Sequence, residues 1–167
     1  MMYRVLPNFL TQQEIFVVQR DTAAHLGSCS KFTPTEKMHS VHNRVFEEVK
    51  KFVPAEPLAG VEQWGFHSDY HGSQLPTTHQ DTDEELLEAR GITKYPLCSA
   101  VLYLNIQDLI GASLEIYEQS KPYTSIKPET GMVVLLAPGT WHAISAFQSG
   151  TRHSMNYNFW DVPLYNS

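Results

Sequence analysis

Cysteine is scarce: the 167 residues contain two, Cys29 and Cys98. They stand alone, so there is no CxxC metal or redox motif. No structural disulfide is expected, and the pair reads as free thiols in a reducing compartment. Long apolar runs are also missing. None reaches the roughly 18 residues of a membrane span, and Met1 to Thr11 holds an early arginine, a proline and an asparagine in place of a signal-peptide core. A cytoplasmic chain without a membrane segment is therefore expected. Positive charge is in deficit, with 12 Lys and Arg against 18 Asp and Glu for a formal net charge of −6. No basic cluster is long enough to track a phosphate backbone, which argues against a nucleic-acid partner. Repeats and low-complexity segments are absent. What remains is a chain that is 42% hydrophobic, an ordinary globular share. Its length suits one domain with a sizeable core. Nothing in the composition fixes an oligomeric state.

The chain divides near residue 60. Before it, Tyr3 to Val5 reads as an edge strand. Thr11-Gln12-Gln13-Glu14 reads as a capping box opening a helix from Gln12 to about Leu26, stopped by Gly27. Thr33-Pro34-Thr35-Glu36 reads as a second capping box. It opens a helix whose core stripe is Met38, Val41, Val45, Val49 and Phe52, ending near Pro54. His39 and His42 lie on that helix and read as packed or solvated histidines, because no partner ligands are visible. After residue 60, short apolar runs alternate with turn signals: Val61 to His67, Cys98 to Asn105, Leu114 to Tyr117, Gly131 to Ala137, His142 to Phe147 and Arg152 to Trp160. In the strand from Cys98, Ser99, Val101, Tyr103 and Asn105 share one face and Ala100, Leu102 and Leu104 the other. In the last, Arg152, Ser154, Asn156 and Asn158 oppose His153, Met155, Tyr157 and Phe159. Many short strands with turn signals predict a sandwich or jelly roll.

Three short stretches carry chemistry. In His79-Gln80-Asp81 an imidazole and a carboxylate two residues apart share a face if the chain is extended, and Pro76 just before favours an extended approach. With His142 they make two histidines and a carboxylate. That set occupies one face of an octahedral ion and leaves three positions open, as in non-haem Fe(II) oxygenases. Ten residues beyond His142 come Arg152 and Ser154 on a shared face, where a guanidinium can grip a carboxylate through two parallel hydrogen bonds. His67-Ser68-Asp69, with His71 nearby, is a rival for the first two ligands, and Asp83 is a rival for Asp81. Taken alone, each of these has a plainer reading: His142 a buried hydrogen-bonded histidine, Arg152 half of a salt bridge, Tyr103 a core aromatic.

Taken in order, the pieces resemble a family. Tyr70, His79-Gln80-Asp81, Tyr103-Leu104-Asn105, Gly111-Ala112-Ser113-Leu114, Gly131, His142, Gly150 and Arg152-His153-Ser154 stand as in the Fe(II)/2-oxoglutarate-dependent dioxygenases, nearest the prolyl-4-hydroxylase branch. The likeness runs from about Tyr70 to Trp160. Ala112 departs from the family's usual second glycine. Tyr70 lies nine residues before His79, about where the family places a pocket tyrosine, and this favours His79 over His67.

The resemblance implies an α+β, mainly β fold: a double-stranded β-helix, or jelly roll, over residues 61–167, braced by two helices within residues 1–60, as one oxygenase domain. It implies Fe(II) on His79, Asp81 and His142. It implies 2-oxoglutarate held by Arg152, Tyr103 and Ser154, with Tyr70 and Leu114 lining its pocket, O2 as the second cosubstrate and ascorbate as reductant. A related halogenase class lacks the carboxylate ligand, so Asp81 favours hydroxylation. Trp64, Trp141, Trp160 and Asp83 are the substrate-pocket candidates. A prolyl residue in a peptide or protein is the first substrate expected, and a free amino acid or small metabolite the second. The acidic charge disfavours nucleobase demethylation. The other readings are a non-catalytic cupin-like metal-binding module and a cupin enzyme without oxygen chemistry. Thr82 to Lys94, with Asp83, Glu84, Glu85 and Glu88, reads as an acidic helical insertion beside the metal site, either a substrate lid or a solvated connection.

Overall fold

The computed structural model describes residues 1–24, 30–68 and 77–167. Two N-terminal strands, β1 (Tyr3–Leu6) and β2 (Lys31–Pro34), flank helix α1 (Gln12–Ala24); a short 3-10 turn (Thr35–Lys37) leads into α2 (Ser40–Phe52). Then come β3 (Gly60–Ser68), α3 (Glu84–Arg90), β4 (Cys98–Gly111), β5 (Leu114–Glu118), β6 (Lys121–Ile126), β7 (Val133–Leu136), β8 (His142–Ile144) and β9 (Phe147–Trp160). Six strands form one antiparallel sheet in the order β1-β7-β4-β9-β3-β2, and β6-β5-β8 form a second. Among the described residues no helix is long and apolar enough to cross a membrane.

Helix α1 starts where Thr11 and Glu14 predict. The Thr11 N–H donates to Glu14 Oε1 at 2.9 Å and the Glu14 N–H to Thr11 Oγ1 at 3.1 Å. The second expected capping box does not form. Thr33 and Pro34 belong to β2, where Thr33 pairs with Val61, so the hydroxyl's segment is committed to the sheet. Helix α2 begins later, at Ser40, and is capped by His39, whose Nδ1 accepts from the N–H groups of Val41 and His42. His42 Nδ1 in turn accepts from the His39 N–H at 3.2 Å. Two histidines thus do what a hydroxyl and a carboxylate usually do.

The large sheet separates two apolar layers. On one side Ile15, Val18, Val41, Val45 and Val49 of the helices pack on Ala100, Leu102, Met155, Tyr157 and Phe159. On the other, Val101 and Tyr103 meet Leu114, Ile116, Val134 and Leu136 between the sheets. The alternation expected for β9, and for β4 from Ser99 to Leu104, is therefore the one found; a bulge after Tyr103 then pairs Asn105 with His153 and Ile106 with Arg152, so Asn105 leaves the face of Tyr103 and Ile106 takes its place. The boundaries differ. β4 continues past Asn105 to Gly111, and β9 begins at Phe147, because Gly150 lies opposite a bulge of β4 at Asp108 and Leu109 and does not break the pairing. Its φ is +97°, and a Cβ there would lie 2.4 Å from the Asp108 carbonyl oxygen on β4, so only glycine fits. Strands β2 and β6 have no clear alternation in sequence and were not expected. Cys98 is buried and its thiol is pushed up by burial to about 12, which makes it inert. Cys29 lies outside the described residues.

Candidate metal centre and adjoining cavity

His79 and His142 are brought together by an antiparallel bridge between their backbones. The His79 N–H donates to the His142 carbonyl at 2.9 Å and the His142 N–H to the His79 carbonyl at 3.0 Å. Their rings then face each other with centroids 4.4 Å apart. The extended approach after Pro76 is a single bridge and not a strand, yet it aligns the side chains as a strand would. Asp81 follows, buried, with Oδ1 3.5 Å from His79 Nε2 and 3.7 Å from His142 Nε2. One ligand atom from each of the three lies within 4.8 Å of the others.

The tautomers favour a cation. His79 Nδ1 lies 2.6 Å from the Thr77 carbonyl and His142 Nδ1 2.9 Å from the Thr140 carbonyl. A carbonyl only accepts, so each Nδ1 carries the proton and each Nε2 turns a lone pair toward Asp81. This is the arrangement that orients metal-binding histidines. Burial pulls the His79 imidazole down, but Asp81 and the Thr77 carbonyl outweigh it and its net shift is up. Burial pushes Asp81 up, but His79, His142 and Ser99 hold it below the usual carboxylate range. Burial keeps His142 down despite Asp81. Asp21, His39 and His42 form a second cluster of the same residue types, with the opposite tautomers. Their Nδ1 atoms accept backbone N–H groups, so each Nε2 carries the proton, donating to Asp21 at 2.8 Å and to Gln63 at 2.7 Å. No lone pair is left for a metal, and the plain reading of these histidines stands.

Arg152 is 1% exposed. Its Nη1 donates to Ser154 Oγ at 2.9 Å and its Nε to the Ala112 carbonyl at 3.3 Å. Ala112 presents that carbonyl from a left-handed backbone, φ 51°, where the family pattern has glycine. Among the described residues Arg152 has no carboxylate partner. The guanidinium sits 5.3 Å from the centre of the Tyr103 ring, and the buried Tyr103 hydroxyl beside it makes no well-formed hydrogen bond among the described residues. Burial pushes that phenol up, with Arg152 pulling the other way. Leu114 is buried in the same inter-sheet layer. A buried cation without a counter-charge costs several kcal/mol, and an anionic ligand reaching both groups removes that cost.

A cavity of about 930 Å³ opens beside His79 and Asp81. Of the substrate-pocket candidates, Trp64 and Asp83 line it. Trp160 does not: it is fully buried, and its Nε1 donates to Glu62 Oε1 at 3.2 Å. Trp141 does not either. It is 47% exposed, because the residue before an inward His142 points outward. Asp83 is no rival to Asp81 as a ligand, since its two oxygens cap α3 through the Leu86 N–H and accept the Tyr165 N–H. Tyr70, Asp69 and His71, and the side chain of His67, lie outside the described residues. Glu62 was missed. Its signal is faint: a charged residue on the same half-buried face of β3 as Trp64.

No family model matches the sequence, and no curated protein does. Solved structures match along almost the whole chain. The viral collagen prolyl hydroxylase vCPH from Paramecium Bursaria Chlorella virus-1, in its 2OG complex, is 16% identical with a TM-score of 0.67, covering 98% of this chain and 97% of its own. An oxidoreductase of the 2OG-Fe(II) oxygenase family from Burkholderia pseudomallei is 14% identical with a TM-score of 0.63, over 98% and 86%. A prolyl-4-hydroxylase from Pseudomonas putida is 16% identical with a TM-score of 0.62, over 96% and 88%. At these identities the likeness is one of fold: this mainly β chain shares the fold of these oxygenases.

Proposed function

We propose that the chain is an Fe(II)- and 2-oxoglutarate-dependent dioxygenase that hydroxylates a C–H bond. Its two sheets are read as a double-stranded β-helix braced by α1 and α2, with residues 1–60 and 61–167 acting as one unit. His79, Asp81 and His142 would hold the iron, which suits their converging lone pairs. Bound iron supplies the activation of O2, with 2-oxoglutarate split to succinate and CO2 while one oxygen atom enters the substrate C–H bond. Arg152, Ser154 and Tyr103 hold the far carboxylate of 2-oxoglutarate, and Leu114 and Ile116 form its apolar wall. Tyr70 is the further tyrosine of that pocket. Ascorbate is the candidate reductant for iron that leaves the ferrous state. The substrate is a peptide or a small molecule. The prolyl-peptide reading rests on the names of the structural neighbours.

The observation that carries this reading is the buried Arg152, without a carboxylate partner among the described residues, beside the buried Tyr103 hydroxyl. A module that merely binds metal has no use for either. The test is incubation with Fe(II), 2-oxoglutarate and isotopically labelled O2. Succinate carrying one labelled oxygen is expected from the wild type and not from His142→Ala. No succinate from iron-loaded wild type, with the cationic compounds named below and a prolyl peptide supplied in turn, overturns the reading.

A further inference from the structure

Iron and 2-oxoglutarate account for Asp81 at one side of the sheet and Arg152 at one end of it. The opposite corner of the cavity has its own chemistry. The strand register places Ser99 of β4, Asn158 of β9 and Glu62 of β3 on one rung. Ser99 lies beside Asp81 and helps hold its charge. Adjacent strands are about 4.8 Å apart, so Glu62 stands roughly 10 Å across the sheet from Ser99. Along β9, Asn158 is four residues from Ser154, roughly 13 Å. The Asn158–Glu62 side of the rung therefore stands away from Arg152 and is open to a substrate.

Among the described residues two polar groups there lack hydrogen-bond partners, and a third, the Glu62 carboxylate, lacks a counter-charge. Glu62 Oε1 accepts from Asn158 Nδ2 at 3.1 Å and from Trp160 Nε1 at 3.2 Å. These donors are neutral, and Glu62 has no ion pair among the described residues. Burial pushes its carboxyl up, against the pull of those donors and of Ser30. Asn158 is 3% exposed. Its Nδ2 is committed to the carboxylate, which leaves Oδ1 as an acceptor with nothing to accept. Trp64 Nε1 is a buried donor without an acceptor. All three residues line the cavity, and Glu84 and Glu85 add carboxylates at its edge. No lysine or arginine lines it, and none occurs at residues 25–29 or 69–76. A wall with a carboxylate and a free amide oxygen, but no cation, takes a donor-rich positive group. A neutral internal prolyl nitrogen has no N–H to offer it.

We propose that the substrate carries a cationic nitrogen, an ammonium or a guanidinium, seated between the Glu62 carboxylate and Asn158 Oδ1, with Trp64 Nε1 donating to an oxygen of the same molecule. This rests on the oxygenase reading and deepens it. The same chemistry belongs to a free basic amino acid and to a lysine or arginine side chain in a peptide.

Binding without turnover separates the possibilities. The protein is loaded with Mn(II) and 2-oxoglutarate, whose own binding is recorded first by calorimetry. It is then titrated with L-lysine, L-arginine, a lysine peptide, an arginine peptide and a prolyl peptide without basic residues. Saturable binding is expected from at least one cationic compound, with the free or peptide form identifying the source. Its neutral counterpart, Nε-acetyl-lysine or citrulline, free or in the same peptide, should bind at least tenfold more weakly. Glu62→Gln should weaken the cationic compound at least tenfold, with 2-oxoglutarate binding as the sign that the variant is folded. The acetyl-lysine and citrulline arms need no variant. If no cationic compound binds, or if its neutral counterpart binds as well, the inference fails while 2-oxoglutarate binding keeps the oxygenase reading intact. If 2-oxoglutarate does not bind, both fall together.

Discussion

The carboxylate of Asp83 accepts a hydrogen bond from the Tyr165 backbone N–H at 2.8 Å. Its other oxygen accepts from the Leu86 N–H at 3.1 Å and caps α3. The excursion carrying α3 is closed at its base by the Asp83 N–H donating to the Lys94 carbonyl at 3.1 Å. Arg90 stacks 5.9 Å from the Tyr165 ring. One side chain thus ties the helix beside the metal centre to the carboxy-terminal tail, and both line the cavity.

Asp83→Ala should therefore loosen two segments at once. Loss of the cap destabilises α3 by about 0.5–2 kcal/mol. Hydrogen exchange should accelerate at Leu86 and at Tyr165 together. Faster exchange confined to α3 would show that the tail is held by something else.

If residues 82–94 act as a lid, replacing Asp83 to Arg90 with a Gly/Ser linker should spare 2-oxoglutarate binding but uncouple turnover, with succinate formed in excess of hydroxylated product. Succinate and hydroxylated product in equal amounts, at the wild-type rate, would reduce the segment to a connection. No residue of α3 is buried, which is what a movable element requires.

Arg152→Ala should weaken 2-oxoglutarate binding by about 2–5 kcal/mol, the range for breaking a buried charge pair. Tyr103→Phe removes one hydrogen bond and should cost about 0.5–2 kcal/mol. Anaerobic calorimetry with Mn(II) measures both. Unchanged affinity in the arginine variant would leave Arg152 a structural residue.

His42 sets a pH dependence of stability. Burial, aided by His39, holds its imidazole down to about 4, against about 6.5 unfolded. A depressed histidine favours the fold above the unfolded value, and this stability is lost as pH falls from about 6.5 towards about 4. The loss is about 3 kcal/mol over the whole window. In denaturant melts the unfolding free energy of wild type should fall from neutral to acidic pH by about that amount more than that of His42→Gln. An equal fall in both would mean that His42 titrates alike in the folded and unfolded protein.

The chemistry was more legible than the architecture around it. The grouping of His79, Asp81 and His142, and of Arg152 with Ser154, could be read from the sequence because alternation tells which residues share a face, and the structure brings both groups together. Helix α2 was misplaced because Thr33-Pro34-Thr35-Glu36 satisfies the local rule for a cap, while pairing of Thr33 with Val61 decides the matter. That contact spans 28 residues of sequence, and no window reads it. The His39–His42 cap was hidden because histidine seldom caps. Trp160 misled because tryptophan is as apt to support a pocket wall as to form one. Glu62 escaped notice because what sets it apart, a carboxylate with no ion pair among the described residues, shows only in the assembled sheet.

The central claim, that His79, Asp81 and His142 hold the iron, is tested most directly by iron content. Elemental analysis of anaerobically reconstituted protein should give one iron per chain for wild type, His67→Ala and Asp69→Ala, and none for His79→Ala, Asp81→Ala and His142→Ala. Iron retained in His79→Ala and lost in His67→Ala would contradict the assignment and move the metal centre to the earlier His-x-Asp.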